Sequence, residues 1–253
     1  MKRFHRSLEE TPWRQPASFP DKPTRDQLHV WRLKVTDDEN ELTKARRVLS
    51  KDEIAKADRY HFARDRNCCV MARAALRTLA GNYLKKNPEF INIGLEANGK
   101  PQLLEADNEL SCNLSHSAGW IVLAFGDKTA LGVDIEGVNP EVEVENIVGN
   151  FFSRLEVPLI MSQPPERRAD AFFFAWTRKE ALIKATGEGL SLPLNEFGVS
   201  ILPQQELKVL HTDWEPQEAD EWALVSFMVA PDLPGAVARK GVIGEVRFFD
   251  LEM

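Results

Sequence analysis

Trp120–Val138 reads WIVLAFGDKTALGVDIEGV. Its first six residues, Trp120 to Phe125, form an unbroken apolar run, the pattern of a strand buried on both faces. Gly126–Thr129 (GDKT) is turn chemistry, and Ala130–Val138 (ALGVDIEGV) reads as a second strand. Together they predict strand, tight turn and strand, paired as a hairpin. With the turn centred on Asp127 and Lys128, Asp134 falls opposite Ile121 and Glu136 opposite Gly119. Ser115 and His116 then sit just beyond that end. Asp134 and Glu136 are two apart and share one face of their strand. In such apolar company two like charges are expensive unless a cation neutralises them. A hard divalent ion would do so; a solvated strand face is the competing explanation.

Outward from this stretch, the chain alternates helices and strands. Leu28–Val35 (LHVWRLKV) predicts a strand. Ser50–Arg64 (SKDEIAKADRYHFAR) predicts a helix with Ser50 as N-cap and Glu53 at the capping-box position. Asn67–Leu84 predicts a buried helix interrupted near Gly81, and Ile91–Leu103 a short strand and turn, with Asn98–Pro101 as the turn. Further on, a helix is expected over Phe172–Thr186, stopped by Gly187 and Gly189. Strands follow near Glu196–Leu202, Trp222–Val229 and Gly244–Phe249. The expectation is an α+β chain: an extension over 1–25, an N-terminal half over 26–128 and a similar C-terminal half over 129–253.

The 253 residues are 43% hydrophobic and 28% charged, ordinary for a well-cored protein, and carry a net charge of −7. That charge argues against general nucleic-acid binding, though a local Lys/Arg cluster can still hold an anion. Three cysteines, two of them adjacent, do not make a disulfide framework, and a reducing cytoplasm fits them. The basic, proline-rich start lacks the apolar core of a secretory signal. No run approaches the ~20 apolar residues of a membrane span.

Several polar residues stand where chemistry could use them. In WTRKEALIK (Trp176–Lys184), Glu180 lies four residues beyond Trp176 and seven beyond Phe173, inside an apolar arc completed by Ala169, Phe172 and Ile183. Lys184 follows one turn later, and the pair is also a common helix-stabilising one. Asn113–Ser117 (NLSHS) reads either as a polar loop or as an anion contact through Ser115 and His116. No G-x-S-x-G elbow supports serine catalysis, and no phosphate-loop or dinucleotide fingerprint is present.

In order, GKP (Gly99–Pro101), NLSHS, GVDIE (Gly132–Glu136), WTRKEALIK and GEGLSLPL (Gly187–Leu194) resemble the 4′-phosphopantetheinyl transferases, specifically the Sfp-type branch with its W-x-x-KEA motif. The resemblance covers about Leu49 to Val199. It implies a pseudo-dimer of two α+β halves with the active site between them. It also implies transfer of the phosphopantetheine arm of coenzyme A to a serine of an acyl or peptidyl carrier protein, releasing 3′,5′-ADP. By position, Asp134, Glu136 and Glu180 match the family's Mg²⁺ ligands, with Mn²⁺ as an alternative. Glu180 doubles as the base, Lys184 matches the lysine at the pyrophosphate, and Ser115 and His116 match contacts to the 3′-phosphate. Lys100 and Pro101 match the segment bordering the nucleotide, and Lys56 a lysine reaching the phosphates. Cys68 departs from the pattern, standing where the family usually has a phosphate-binding arginine; Arg64 or Arg66 would be the substitute. A double-length chain of this family is expected to be a monomer.

Overall fold

The computed structural model describes residues 11–96, 99–104, 110–202 and 206–253. Asn98 of the expected turn and the first ten residues of the extension lie outside these. The N-terminal half contains β1 (Gln27–Lys34), α1 (Glu39–Arg46), α2 (Lys51–Ala57), α3 (Ala63–Leu84), β2 (Ile93–Leu95), β3 (Pro101–Leu103), β4 (Ser111–Ser117) and β5 (Trp120–Gly126). Then come β6 (Leu131–Ile135), α4 (Val144–Phe151), α5 (Glu156–Met161), α6 (Pro165–Thr186), β7 (Phe197–Val199), β8 (Val209–Thr212), β9 (Trp222–Ala230), β10 (Leu233–Lys240) and β11 (Glu245–Asp250).

Ser50 caps α2 through a capping box: Glu53 N donates to Ser50 Oγ (3.3 Å) and Ser50 N to Glu53 Oε2 (2.9 Å). The single helix expected over Ser50–Arg64 is two helices, however. α2 ends at Ala57, where Asp58 turns to pair with Arg46 (2.6 Å), and Phe62 is extended before α3 begins. The intervening Asp, Tyr and His are indifferent helix formers, so the break costs little.

Strand alternation assigns the layers. On β1 and β5, Trp31, Leu33, Ile121, Leu123 and Phe125 face a cluster that includes Leu76 and Leu79 of α3. Leu28, Val30, Val122 and Ala124 face the other way, meeting Leu131, Val133 and Ile135 of β6 and Val237 of β10 in a second cluster. β6 thereby turns its remaining side, Gly132 and Asp134, toward α6. Each half is thus a 22-residue helix on a sheet, and the two sheets pack through their apolar backs.

The expected hairpin does not form. β5 is central in a four-stranded sheet of order β11-β1-β5-β4, with both edges taken, while β6 belongs to a three-stranded sheet of order β6-β10-β9. Ile121 therefore pairs with Leu33 and His116, and Asp134 with Ala236. The turn itself explains the crossing: Asp127 Oδ1 accepts from Thr129 Oγ1 (2.6 Å) and from Arg239 Nη2 of β10 (2.9 Å), tying GDKT to the second sheet. NLSHS is strand β4 rather than a loop. The last strand returns to the first sheet, β11 running parallel to β1 with Trp31 opposite Phe249. Among the described residues no helix is long and apolar enough to cross a membrane.

Candidate active site

The two halves meet where β4 faces β6, and the join is made by side chains. Asn113, Ser115 and Ser117 share one face of β4 through their spacing of two. Val133 N donates to Asn113 Oδ1 (2.8 Å), Ser115 Oγ to Asp134 Oδ1 (2.9 Å) and Ser117 Oγ to Glu136 Oε2 (3.0 Å). α6 closes the third side. Gly132 lets it in: a Cβ there would lie 2.1 Å from Ala181 O and 2.5 Å from Ala185 N, so only glycine permits this approach. Lys184 Nζ then reaches Asp134 Oδ1 (2.7 Å) and Ser115 Oγ (3.0 Å).

α6 is buried around most of its circumference, Arg178 and Lys179 included. Glu180 does not lie on its most buried stripe; with Phe173, Trp176 and Lys184 it forms the half-buried line of the helix. The helix is enclosed because it packs on β6 and β10 on one side and touches α4, α5 and β7 on the other.

The electrostatics of the three carboxylates are unfavourable as they stand. Burial raises Asp134 above the ordinary 3.8, with Lys184 and Ser115 opposing. Burial and the Asp134 charge raise Glu136 above 4.5, and burial, Asp134 and then Glu136, partly offset by Lys184, raise Glu180. Asp134 Oδ2 is buried without a hydrogen-bond partner. Among the described residues, no three His, Cys, Asp or Glu side chains stand ready-drawn as a metal cage. The donor set nevertheless fits a hard cation: oxygen donors only, mutual repulsion and a buried oxygen left unsatisfied.

Beside this cluster opens a cleft of about 650 Å³ between α2, α3 and the β4–β5 turn. Lys56, Arg64, Cys68, Arg73, Pro101 and His116 are among its walls, and Ser117 connects it to Glu136. Ser115 and His116, expected to act together, point to opposite faces of β4: Ser115 is buried against Asp134 and Lys184, while His116 forms part of the cleft wall. Burial and Lys184 lower the His116 imidazole below its usual 6.5, favouring the neutral ring. Lys100 turns away from the cleft, donating to Leu131 O (3.0 Å) and Lys184 O (2.8 Å) and so bracing β6 against α6. Arg64 lines the cleft and Arg66 does not. Sequence reasoning gave Asn113 and Ser117 no role of their own and did not single out Arg73; the period-two spacing in NLSHS was the signal for the first two.

The profile of the 4′-phosphopantetheinyl transferase superfamily matches residues 130–236, and that of the 4′-phosphopantetheinyl transferase N-terminal region matches 35–127. The chain is 32% identical over 226 residues to the 4′-phosphopantetheinyl transferase HetI of Nostoc sp., covering 88% of this chain and 92% of that one. It is 33% identical to the 4′-phosphopantetheinyl transferase psf-1 of Bacillus pumilus over 65% of this chain and 70% of the relative. With the 4′-phosphopantetheinyl transferase Sfp of Bacillus subtilis it shares 29% identity over 60% and 66% of the two chains.

Proposed function

The chain belongs to the 4′-phosphopantetheinyl transferase family, and from that premise we propose that it moves the phosphopantetheine arm of coenzyme A onto a serine hydroxyl of an acyl or peptidyl carrier protein, releasing 3′,5′-ADP. The observation that carries this reading is the convergence of Asp134, Glu136, Glu180 and Lys184 beside a cleft with cationic walls. The chain has no nucleophile motif because the nucleophile belongs to the carrier.

Asp134, Glu136 and Glu180 would hold Mg²⁺, or Mn²⁺ in its stead. Bound there, the ion would offset the charge of the pyrophosphate and of the departing 3′,5′-ADP. Glu180 is half-buried, and its carboxylate makes no hydrogen bond among the described residues. A carboxylate Oε of Glu180 takes the proton of the carrier serine as its oxygen bonds to the β-phosphorus. The bond from that phosphorus to the bridging oxygen breaks, and the electron pair leaves on 3′,5′-ADP. Lys184 Nζ, now shared between Asp134 and Ser115, supplies a positive charge on the leaving side, worth most as charge develops. Lys56, Pro101 and His116 border the nucleotide in the cleft, while Lys100 and Ser115 support it from behind. The protein acts as a cytoplasmic monomer.

Chromatography of a reaction containing apo carrier, coenzyme A and Mg²⁺ tests this. Equal amounts of 3′,5′-ADP and modified carrier are expected. Release of free phosphopantetheine in the absence of carrier would instead identify a hydrolase.

A further inference from the structure

Along α3, Cys68, Cys69 and Arg73 all line the cleft, with Lys56 of α2 also in its wall. Burial raises the Cys69 thiol while Arg73 and Lys56 pull it down, so both cations stand near that sulfur. Cys68 is pushed up to about 11, an uncharged thiol at neutral pH. Among the described residues neither the Lys56 nor the Arg73 side chain pairs with a carboxylate. The neighbouring arginines differ. Arg77, one turn along, is buried and committed to Glu53 (2.6 Å) and to the carbonyls of Pro88 (3.1 Å) and Ile91 (3.0 Å). Arg64 is exposed and reaches Asp65 at 3.4 Å.

Two cations without carboxylate partners in one cleft, in a chain of net charge −7, form an anion site. The planar fork of Arg73 suits a phosphate in particular. Coenzyme A brings two anionic regions. Its reacting pyrophosphate belongs beside Glu180 and Lys184, which leaves the 3′-phosphate for the cations on the α3 wall. We propose that Arg73, with Lys56, binds the 3′-phosphate of coenzyme A in place of a cation at residue 68. This assignment rests on the coenzyme A reading above.

The test compares coenzyme A with 3′-dephospho-coenzyme A as donor. Wild-type transfer from coenzyme A is measured first and stands or falls with the proposed function alone. Arg73→Ala is expected to raise KM for coenzyme A by roughly 10- to 100-fold, leaving kcat and the KM for the dephospho donor unchanged. Arg73→Lys should fall between, and Cys68→Arg added to Arg73→Ala should restore the preference for coenzyme A. An unchanged KM for coenzyme A, or an equal rise for both donors, overturns the assignment. If the wild type transfers nothing, calorimetric binding of the two donors to wild type and Arg73→Ala decides it: the same loss for both, or for neither, overturns it.

Discussion

Helix α6 carries two lysine–carboxylate pairs five residues apart, and they are built in opposite ways. Lys179 and Glu156 are fully buried, 2.7 Å apart. The ammonium and both carboxylate oxygens of this pair are used: Lys179 also donates to Phe197 O, and Glu156 accepts from Ser153 N and Val199 N. Lys184 and Asp134 are equally close, but the lysine is half-exposed and Asp134 Oδ2 has no partner. The first pair is a closed network that fixes α6 against α5 and β7. The second is an open one, with charge left over for a ligand. A buried ion pair therefore says little about role until its unused atoms are counted.

Replacing the unpartnered carboxylate should separate the two pairs most sharply. Glu180→Gln is expected to lower kcat by about a thousandfold or more in a carrier-modification assay, with the melting temperature unchanged or slightly higher because a half-buried charge is removed. Breaking the closed pair acts on the fold: Lys179→Met should cost about 3–5 kcal/mol in urea unfolding by stranding Glu156, and adding Glu156→Gln should recover most of it. Breaking the open pair does the reverse. Lys184→Met should reduce kcat by roughly a hundredfold while changing stability by about 1 kcal/mol or less, because Asp134 keeps Ser115 and can take up a proton. Gly132→Ala should destabilise by about 1–3 kcal/mol and lower transfer as well, since β6 must withdraw from α6.

The smallest expected effect is a pH dependence. The folded-state pKa values of Asp134, Glu136 and Glu180 lie above their ordinary 3.8 and 4.5. The metal-free fold thus binds more protons than the unfolded chain, and this contribution to stability falls as pH rises through that range. Mg²⁺ would relieve the cost. The rise in melting temperature on adding Mg²⁺ should therefore grow from acid to neutral pH, by a few degrees in scanning calorimetry.

The local elements were largely legible. The apolar run of Trp120–Phe125 is a strand buried on both faces, and Ser50 and Glu53 form the expected capping box. Pairing was not legible. Nothing within GDKT reveals that Arg239, more than a hundred residues away, holds the turn to the second sheet, or that a C-terminal strand completes the first. Around the candidate site, motif order singled out Asp134, Glu136, Glu180 and Lys184, which lie within electrostatic reach of one another. It could not reveal that Lys100 braces backbone, that Ser115 and His116 face opposite ways, or that Arg73 lines the cleft. Those depend on which face of a strand or helix meets a partner distant in sequence.

The most direct measurement is the intact mass of an apo acyl carrier protein after incubation with this protein, coenzyme A and Mg²⁺, alongside an EDTA control. A gain of one phosphopantetheine that EDTA abolishes is the predicted result. An unmodified mass on fatty-acid, polyketide and peptide-synthetase carriers alike, with coenzyme A still bound, would contradict transfer and leave a protein that only holds the nucleotide.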